Sequence, residues 1–101
     1  MISKLKKIGR HGRINIKANR ILREKFSELG IFWCEPKLDG CLRTFGLSFA
    51  HKHKRNWYYS QQELLWDINE VVIACASCHA KMEADKELTD EVFNRLRKPN
   101  V

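Results

Sequence analysis

The four cysteines constrain this chain more than any other feature, because they occur as two pairs. Cys75 and Cys78 are separated by two residues, while Cys34 and Cys41 are separated by six residues that include several turn formers. A two-residue gap lets one turn of backbone direct both sulfurs at one tetrahedral ion. A second pair on a loop completes the ligand set. The spacing therefore predicts a closed, four-thiolate structural zinc site.

The N-terminal residues favour metal ligation over disulfide bonds. The segment MISKLKKIGRHGR is basic and has neither the apolar core nor the cleavage site of a secretory signal. No apolar run in the sequence approaches the ~20 residues that a membrane-spanning helix needs. We therefore expect a cytoplasmic protein without membrane association, in a compartment where thiols stay reduced and bind metals.

Two other interpretations of the cysteines remain open. The sequence Cys75-Ala-Ser-Cys78-His79 also matches the attachment motif for c-type haem. Haem would leave Cys34 and Cys41 unexplained and would require export. Alternatively, all four cysteines could be small buried hydrophobic residues, although this does not explain why they occur in two pairs.

Positive charge is concentrated at the start of the chain. The net charge is +7, and residues 1–25 contain nine lysines and arginines against the single acidic residue Glu24. Such a balance indicates a polyanionic partner, although a solvated basic tail is the alternative. The candidate contacts in this segment are Lys4, Lys6, Lys7, Arg10, Arg13, Lys17 and Arg20.

Hydrophobic patterning divides the chain into a flexible basic arm, residues 1–12, and a single domain, residues 13–101. Apolar residues at helical spacing predict a helix from about Ile14 to Leu29, with Gly30 following it. Alternation from Phe45 onward predicts a strand that ends near His51.

The second half of the domain contains a basic aromatic connection over residues 52–60, then a short helix from Gln61 to Ile68. A β-branched run over residues 71–73 predicts a second strand. Helices are expected over residues 78–85 and again before Pro99, the last one with an apolar face. That face consists of Leu88, Val92, Phe93 and Leu96. In the connection, the aromatic run Trp57, Tyr58 and Tyr59 could stack on bases, but core packing is favoured.

Two segments carry a resemblance to a known family. They are Ser48-Phe-Ala-His51-Lys-His-Lys-Arg55 and Glu70-Val-Val-Ile-Ala-Cys75-Ala-Ser-Cys78-His79-Ala-Lys-Met-Glu83. The stretch from Cys34 to Glu83, about half of the chain, resembles the HNH (His-Me finger) endonucleases, particularly the small HNH proteins of bacteriophages. The resemblance implies an α+β fold with a zinc-stabilised ββα-metal core, flanked by an N-terminal basic helix and a C-terminal helix.

The resemblance also implies a reaction and a set of roles. The reaction is metal-dependent hydrolysis of DNA, in which a base activates water and a divalent ion such as Mg²⁺, Mn²⁺ or Ni²⁺ stabilises developing charge. His51 would be the general base and His79 a metal ligand. Further candidate metal ligands are Glu83, one helical turn after His79, and Glu70. His53 is another candidate, although a backbone or phosphate contact is favoured for it. Phosphates would be held by Lys52, Lys54 and Arg55.

Two positions depart from the family pattern. Ala50 stands where an acidic metal ligand often precedes the catalytic histidine, and Glu70 stands where the middle asparagine is usual, with Asn69 one place earlier. The alternative is therefore a catalytically inactive HNH-shaped zinc module that binds nucleic acid or a host protein. A protein-interaction zinc module with an incidental basic arm is a third interpretation. We expect the protein to act in the cytoplasm of a bacterial host cell. DNA is the expected partner, and phage packaging proteins or other phage and host proteins are further candidate partners.

Overall fold

The computed structural model describes residues 10–97, with side chains described from residue 12 onward. This part of the chain forms four α-helices and a two-stranded antiparallel sheet, which confirms the predicted α+β class. None of the described helices has the length and apolar character needed to cross a bilayer. The elements are α1 (Arg10–Leu29), β1 (Leu47–His51), α2 (Arg55–Tyr58), β2 (Val71–Cys75), α3 (Ala76–Ala84) and α4 (Lys86–Leu96). Short 3-10 turns span Leu38–Gly40, Gln62–Trp66 and Ile68–Glu70.

Helix α1 begins at Arg10, earlier than the predicted start near Ile14, and therefore includes Gly12. A glycine inside a helix costs only about 1 kcal/mol relative to alanine, and packing of the apolar face elsewhere in the helix offsets this cost. Ala18, Leu22 and Phe26 provide that face and are buried. Of the predicted flexible arm, residues 1–12, the last three belong to α1, and residues 1–9 lie outside the described residues.

Helix α1 ends where the sequence predicts. Gly30 adopts a left-handed φ of 70°, which is readily accessible to glycine. Its N–H donates to the Ser27 carbonyl at 3.0 Å, and the N–H of Ile31 donates to the Phe26 carbonyl at 3.1 Å. These two bonds form a Schellman motif, which satisfies carbonyls left free at the helix end.

Strand β2 is buried along its whole length because helices cover both faces of the sheet. Val72 and Ala74 pack in the cluster that contains α3 and α4. Val71 and Ile73 point to the other side and pack against α1. The register pairs His51 with Val71 and Leu47 with Cys75. The sheet therefore places the end of β1 and the start of α3 at defined positions.

Helices α3 and α4 form a hairpin around a short turn. Asp85 caps α4, since its side chain accepts a hydrogen bond from the Leu88 N–H at 3.1 Å. Buried Thr89 donates from Oγ1 to the Met82 carbonyl at 2.6 Å. The predicted apolar face is confirmed, because Val92 and Phe93 are buried in the cluster beneath the sheet.

A buried ion pair joins the end of α4 to the cysteine loop and the sheet. Arg97 donates to both carboxylate oxygens of Glu35 at 2.9 Å and to the Val71 carbonyl at 3.1 Å. Glu35 also accepts from the Ile73 N–H at 2.9 Å. Removing one partner would leave the other charged group buried without its counterion. This pair therefore holds the residue next to Cys34 against β2.

Candidate metal centre and histidine cleft

The four cysteines meet at one point, as their spacing predicts. Their sulfurs all lie within 4.8 Å of one another, and the Sγ atoms of Cys41 and Cys75 are 3.5 Å apart. A tetrahedral zinc with Zn–S bonds of about 2.3 Å needs sulfurs about 3.8 Å apart. Cys34, Cys75 and Cys78 are buried, and Cys41 is half-buried. The cluster could therefore hold one metal ion such as zinc with little rearrangement.

The second cysteine pair lies at the junction between β2 and α3. Cys75 is the N-cap of α3, and the N–H of Cys78 donates to its Sγ at 3.5 Å. This amide is the main reason that the pKa of Cys75 is lowered to about 6, whereas burial raises the pKa of Cys78 to about 12. A metal ion binds the thiolates, so its arrival would release the remaining thiol protons.

The first cysteine pair lies on the loop that precedes β1. Within it, Lys37 and Asp39 adopt left-handed φ values of 50° and 54°, and Gly40 one of 75°. Such a conformation costs roughly 1–2 kcal/mol for a residue other than glycine. The N–H of Cys34 donates to the Arg43 carbonyl at 2.9 Å. The segment between Cys34 and Cys41 is thus a strained turn that brings Cys41 back toward Cys75.

His51, the predicted general base, lies at the end of β1 with one ring nitrogen fixed. Its Nε2 donates to the Leu65 carbonyl at 2.8 Å, because a carbonyl can only accept. Burial lowers the pKa of His51 from 6.5 to about 4, and the nearby charge of Arg55 adds to this shift. At neutral pH the imidazole is therefore uncharged, with its proton on Nε2 and a lone pair on Nδ1.

His79, the predicted metal ligand, lies in the first half of α3 between two polar side chains. Its Nε2 is 3.0 Å from Oε1 of Glu83, one helical turn later, so these two residues share a face as predicted. Its Nδ1 is 2.8 Å from Oγ of Ser48 in β1. Ser48 was not a predicted site residue. The only signal for it was the strand alternation, which places Ser48 and Ala50 on one face.

Both histidines line one open cleft of about 830 Å³, together with Glu83. Glu70 is not among its lining residues, because its Oε1 accepts a hydrogen bond from the buried Tyr58 hydroxyl at 3.0 Å. From residue 12 to residue 97, the four cysteines are the one group of three or more possible ligands close enough to share an ion. Within these residues, no third possible protein ligand lies close enough to His79 and Glu83 to share an ion with them. The cationic lining residues are Lys52, Lys54, Arg55 and Lys86, of which Lys86 was not predicted.

One side of α1 contacts a residue that lines this cleft. Arg55, a lining residue, donates from Nη1 to Oδ1 of Asn15 in α1 at 2.9 Å. Arg13, Lys17 and Arg20 are exposed at helical spacing along α1. The backbone of Arg10 lies in the same helix, but its side chain and residues Lys4, Lys6 and Lys7 lie outside the described residues. At about 100° per residue, Arg13, Lys17 and Arg20 lie on the side of α1 opposite Asn15, so they form a positive surface separate from the lining of the cleft.

The aromatic run after β1 divides between core and surface. Tyr58 is fully buried, which confirms core packing for this residue. Tyr59 is half-buried, and its hydroxyl accepts from the Asn15 side chain at 3.2 Å. Core packing is the wrong prediction for Trp57, which is 43% exposed at the cleft. The short α2 turns this indole outward while it turns Tyr58 inward.

Comparisons of the chain with family models, with curated proteins and with solved structures gave no match.

Proposed function

We propose that this chain is a metal-dependent DNA endonuclease of the HNH type, with structural zinc held by the four cysteines. One observation carries the proposal: His51 and His79 line the same basic cleft. The strand, strand, helix order from β1 to α3 agrees with a ββα-metal core. The zinc would then stabilise the fold, and the cleft would perform the hydrolysis.

His51 has the properties that a general base requires. Its imidazole is neutral at the pH of the cell because burial depresses its pKa to about 4. The bond from Nε2 to the Leu65 carbonyl fixes the tautomer and the ring orientation. Nδ1 can therefore accept a proton from water beside the scissile phosphate.

His79 and Glu83 are the residues that would hold the divalent ion. The 3.0 Å between Nε2 of His79 and Oε1 of Glu83 matches the edge of an octahedron with ligand distances of about 2.1 Å. When bound, an ion such as Mg²⁺, Mn²⁺ or Ni²⁺ would stabilise charge on the phosphate and on the leaving oxygen. Ser48 would orient the His79 ring through Nδ1.

The charges around the cleft suit a DNA backbone. Four cationic side chains line the cleft against one carboxylate, that of Glu83. The outer side of α1 carries further positive charge, from Arg13, Lys17 and Arg20. Lysine and arginine contacts to phosphates provide affinity that does not depend on sequence and weakens with salt. The proposal therefore predicts DNA binding with a steep salt dependence.

The test is cleavage of supercoiled plasmid by the zinc-loaded protein with Mg²⁺, Mn²⁺ or Ni²⁺ added. His51→Ala should reduce the cleavage rate by roughly 10²–10⁴-fold, since that is the usual contribution of a general base. His79→Ala should abolish metal-dependent cleavage. The matched control is His53→Ala, which alters a third histidine lining the same cleft. At saturating DNA this variant should cleave at nearly the wild-type rate, whereas full activity in His51→Ala would contradict the mechanism.

A second candidate function is a catalytically inactive HNH-shaped zinc module that binds nucleic acid or a host protein. The observation that favours it is the incomplete ligand set around His79. Ala50, 1% exposed, offers no ligand atom, and Glu70 is bonded to Tyr58. This candidate predicts salt-sensitive DNA binding with no cleavage under any of the three metals.

A further inference from the structure

Trp57 is the one large apolar side chain that is both exposed and part of the cleft, among residues 12–97. The other large exposed apolar side chains do not line the cleft. They are Ile16, Leu29, Phe32, Trp33, Leu42 and Phe45. Single exposed apolar side chains are common on protein surfaces, and what distinguishes this indole, 43% exposed, is its position in the cleft beside His53, Lys54 and Arg55.

The indole is held in place by its neighbours. The His53 ring stacks on Trp57 with centroids 4.0 Å apart and planes inclined by 25°. Tyr58 contacts it edge to face, with centroids 5.0 Å apart. Tyr58 is anchored in turn, because its hydroxyl donates to Glu70 and accepts from the backbone N–H of His53. His53 covers one face, so the exposed area of Trp57 lies along the ring edges and on the side away from His53.

A flat, pre-positioned aromatic surface among cations matches the chemistry of a nucleotide strand. Lys54 and Arg55 precede Trp57 by three and two residues, and both line the same cleft. Proteins that bind single strands combine a positive groove for phosphates with aromatic rings on which bases stack. A ring already fixed by its neighbours loses little conformational entropy on binding.

We propose that Trp57 is a stacking platform for an unpaired base, so that the cleft takes single-stranded or locally unpaired DNA in preference to intact duplex. In a duplex each base already stacks on its neighbours, and its faces are not available to a side chain. Only an unpaired or extruded base can cover the free face of Trp57. This inference rests on the proposed DNA-binding function but requires no cleavage.

The experiment measures equilibrium binding by fluorescence anisotropy, with zinc-loaded protein and no other divalent ion added. The probes are a 12-nucleotide oligothymidylate, an abasic strand of the same length, and a 12-base-pair duplex. Wild type should bind oligothymidylate more tightly than the abasic strand, which has the same charge but no bases. Trp57→Ala should weaken oligothymidylate binding by about 5- to 150-fold, the equivalent of one stacked base. It should leave the other two affinities within about twofold.

Two variants serve as controls. Trp57→Phe keeps an aromatic face and should retain most of the affinity for oligothymidylate. Trp33→Ala removes another exposed tryptophan, 40% exposed and close to Lys37 but outside the cleft, and should change none of the three affinities. Circular dichroism checks that each variant is folded. If the alanine variant unfolds, Trp57→Leu replaces it, because leucine keeps an apolar side chain without an aromatic face and should lose affinity for oligothymidylate in the same way.

If Trp57→Ala loses affinity for all three probes, or loses no affinity for oligothymidylate, the proposal that Trp57 stacks on a base is wrong. Tighter binding to oligouridylate than to oligothymidylate would overturn the assignment to DNA. Failure of the endonuclease is a separate outcome, since plasmid cleavage is measured with added metal. If the protein binds oligothymidylate through Trp57 but cleaves no plasmid, the stacking role of Trp57 is supported and the endonuclease proposal is rejected.

Discussion

The cysteine cluster and the histidine cleft differ in almost every physical property, although α3 contributes to both. The cluster is closed and largely buried, with four sulfur ligands from two segments. The cleft is open, and the atoms proposed to hold a metal there are nitrogen and oxygen. Thiolates favour zinc, whereas imidazole with carboxylate and open positions suits a more exchangeable divalent ion. In the proposed function, the cluster would stabilise the fold and the cleft would carry the chemistry.

The two regions are linked through one turn of helix. Cys75 and Cys78 occupy the start of α3, and His79 is the next residue in the chain. The position of His79 opposite β1 therefore depends on the cysteine cluster. In the proposed enzyme, metal in the cluster would fix the geometry of the cleft and would take no part in the hydrolysis.

The largest expected effect is the loss of the cluster's metal. Structural zinc contributes on the order of 10–16 kcal/mol of apparent binding energy, which is comparable with the entire stability of a typical domain, about 5–15 kcal/mol. Strong chelation, or Cys75→Ser, should therefore unfold the protein. Circular dichroism melts with and without chelator measure this effect. An unchanged melting temperature after the metal is removed would show that metal binding by the cluster does not stabilise the fold.

The second effect concerns the buried ion pair beside Cys34. Arg97→Ala should lower the free energy of unfolding by about 3–5 kcal/mol, because Glu35 would keep an uncompensated buried charge. The matched control is Lys86→Ala, which removes a surface pair with Asp90 at 3.7 Å and should cost less than about 1 kcal/mol. Urea titration measures both variants. Equal losses would mean that the pair does not support the cluster as described.

The third effect is the loss of stability in acid that is due to His51 in the cleft, as distinct from any loss due to the cysteine cluster. In the unfolded chain His51 takes up a proton near pH 6.5, but in the folded state only near pH 4, where burial, Arg55 and His79 oppose its charge. Between these values the unfolded chain binds more protons, so stability falls as the pH falls.

By pH 4.5 the wild type should lose about 2–3 kcal/mol more than His51→Gln, when both are compared with their stability at pH 7. The cysteines are common to both proteins, so acid release of their metal cancels in the difference. Urea titrations at the two pH values, with zinc in excess, provide the measurement. Parallel losses in the two proteins would indicate that His51 is not buried as a neutral ring.

The smallest effect concerns Ser48 in the cleft. Ser48→Ala removes the partner of Nδ1 in His79 and should weaken Mn²⁺ binding by about 10- to 100-fold, the usual effect of losing a group that orients a metal ligand. Ser77→Ala, on the exposed side of α3, is the matched control and should bind Mn²⁺ normally. Calorimetric titration of zinc-loaded protein measures both. Unchanged affinity in Ser48→Ala would leave its contact with His79 without a role in metal binding.

Local patterns in the sequence predicted the parts of the fold that depend on neighbouring residues. The two-residue gap between Cys75 and Cys78 and the apolar spacing of α4 both reflect a single helical turn. The pairing of His79 with Glu83 follows from the same geometry. Such features need no knowledge of the tertiary fold.

Contacts between distant segments could not be predicted in this way. Leu65 fixes His51 through a backbone carbonyl, which any residue type would supply. Arg97 and Glu35 pair across most of the chain, and no local pattern connects them. The outward position of Trp57 depends on how α2 packs, so its sequence neighbours Tyr58 and Tyr59 gave no indication of it.

The most direct test of the central claim measures zinc content and plasmid cleavage on one sample of His79→Ala. If stability and chemistry belong to separate metal sites, this variant should hold one zinc per chain, melt like wild type and cleave no DNA when Mn²⁺ is added to the wild-type optimum. Loss of zinc together with loss of cleavage would show that His79 belongs to the cysteine site. Undiminished cleavage would show that the cleft does not use His79 at all.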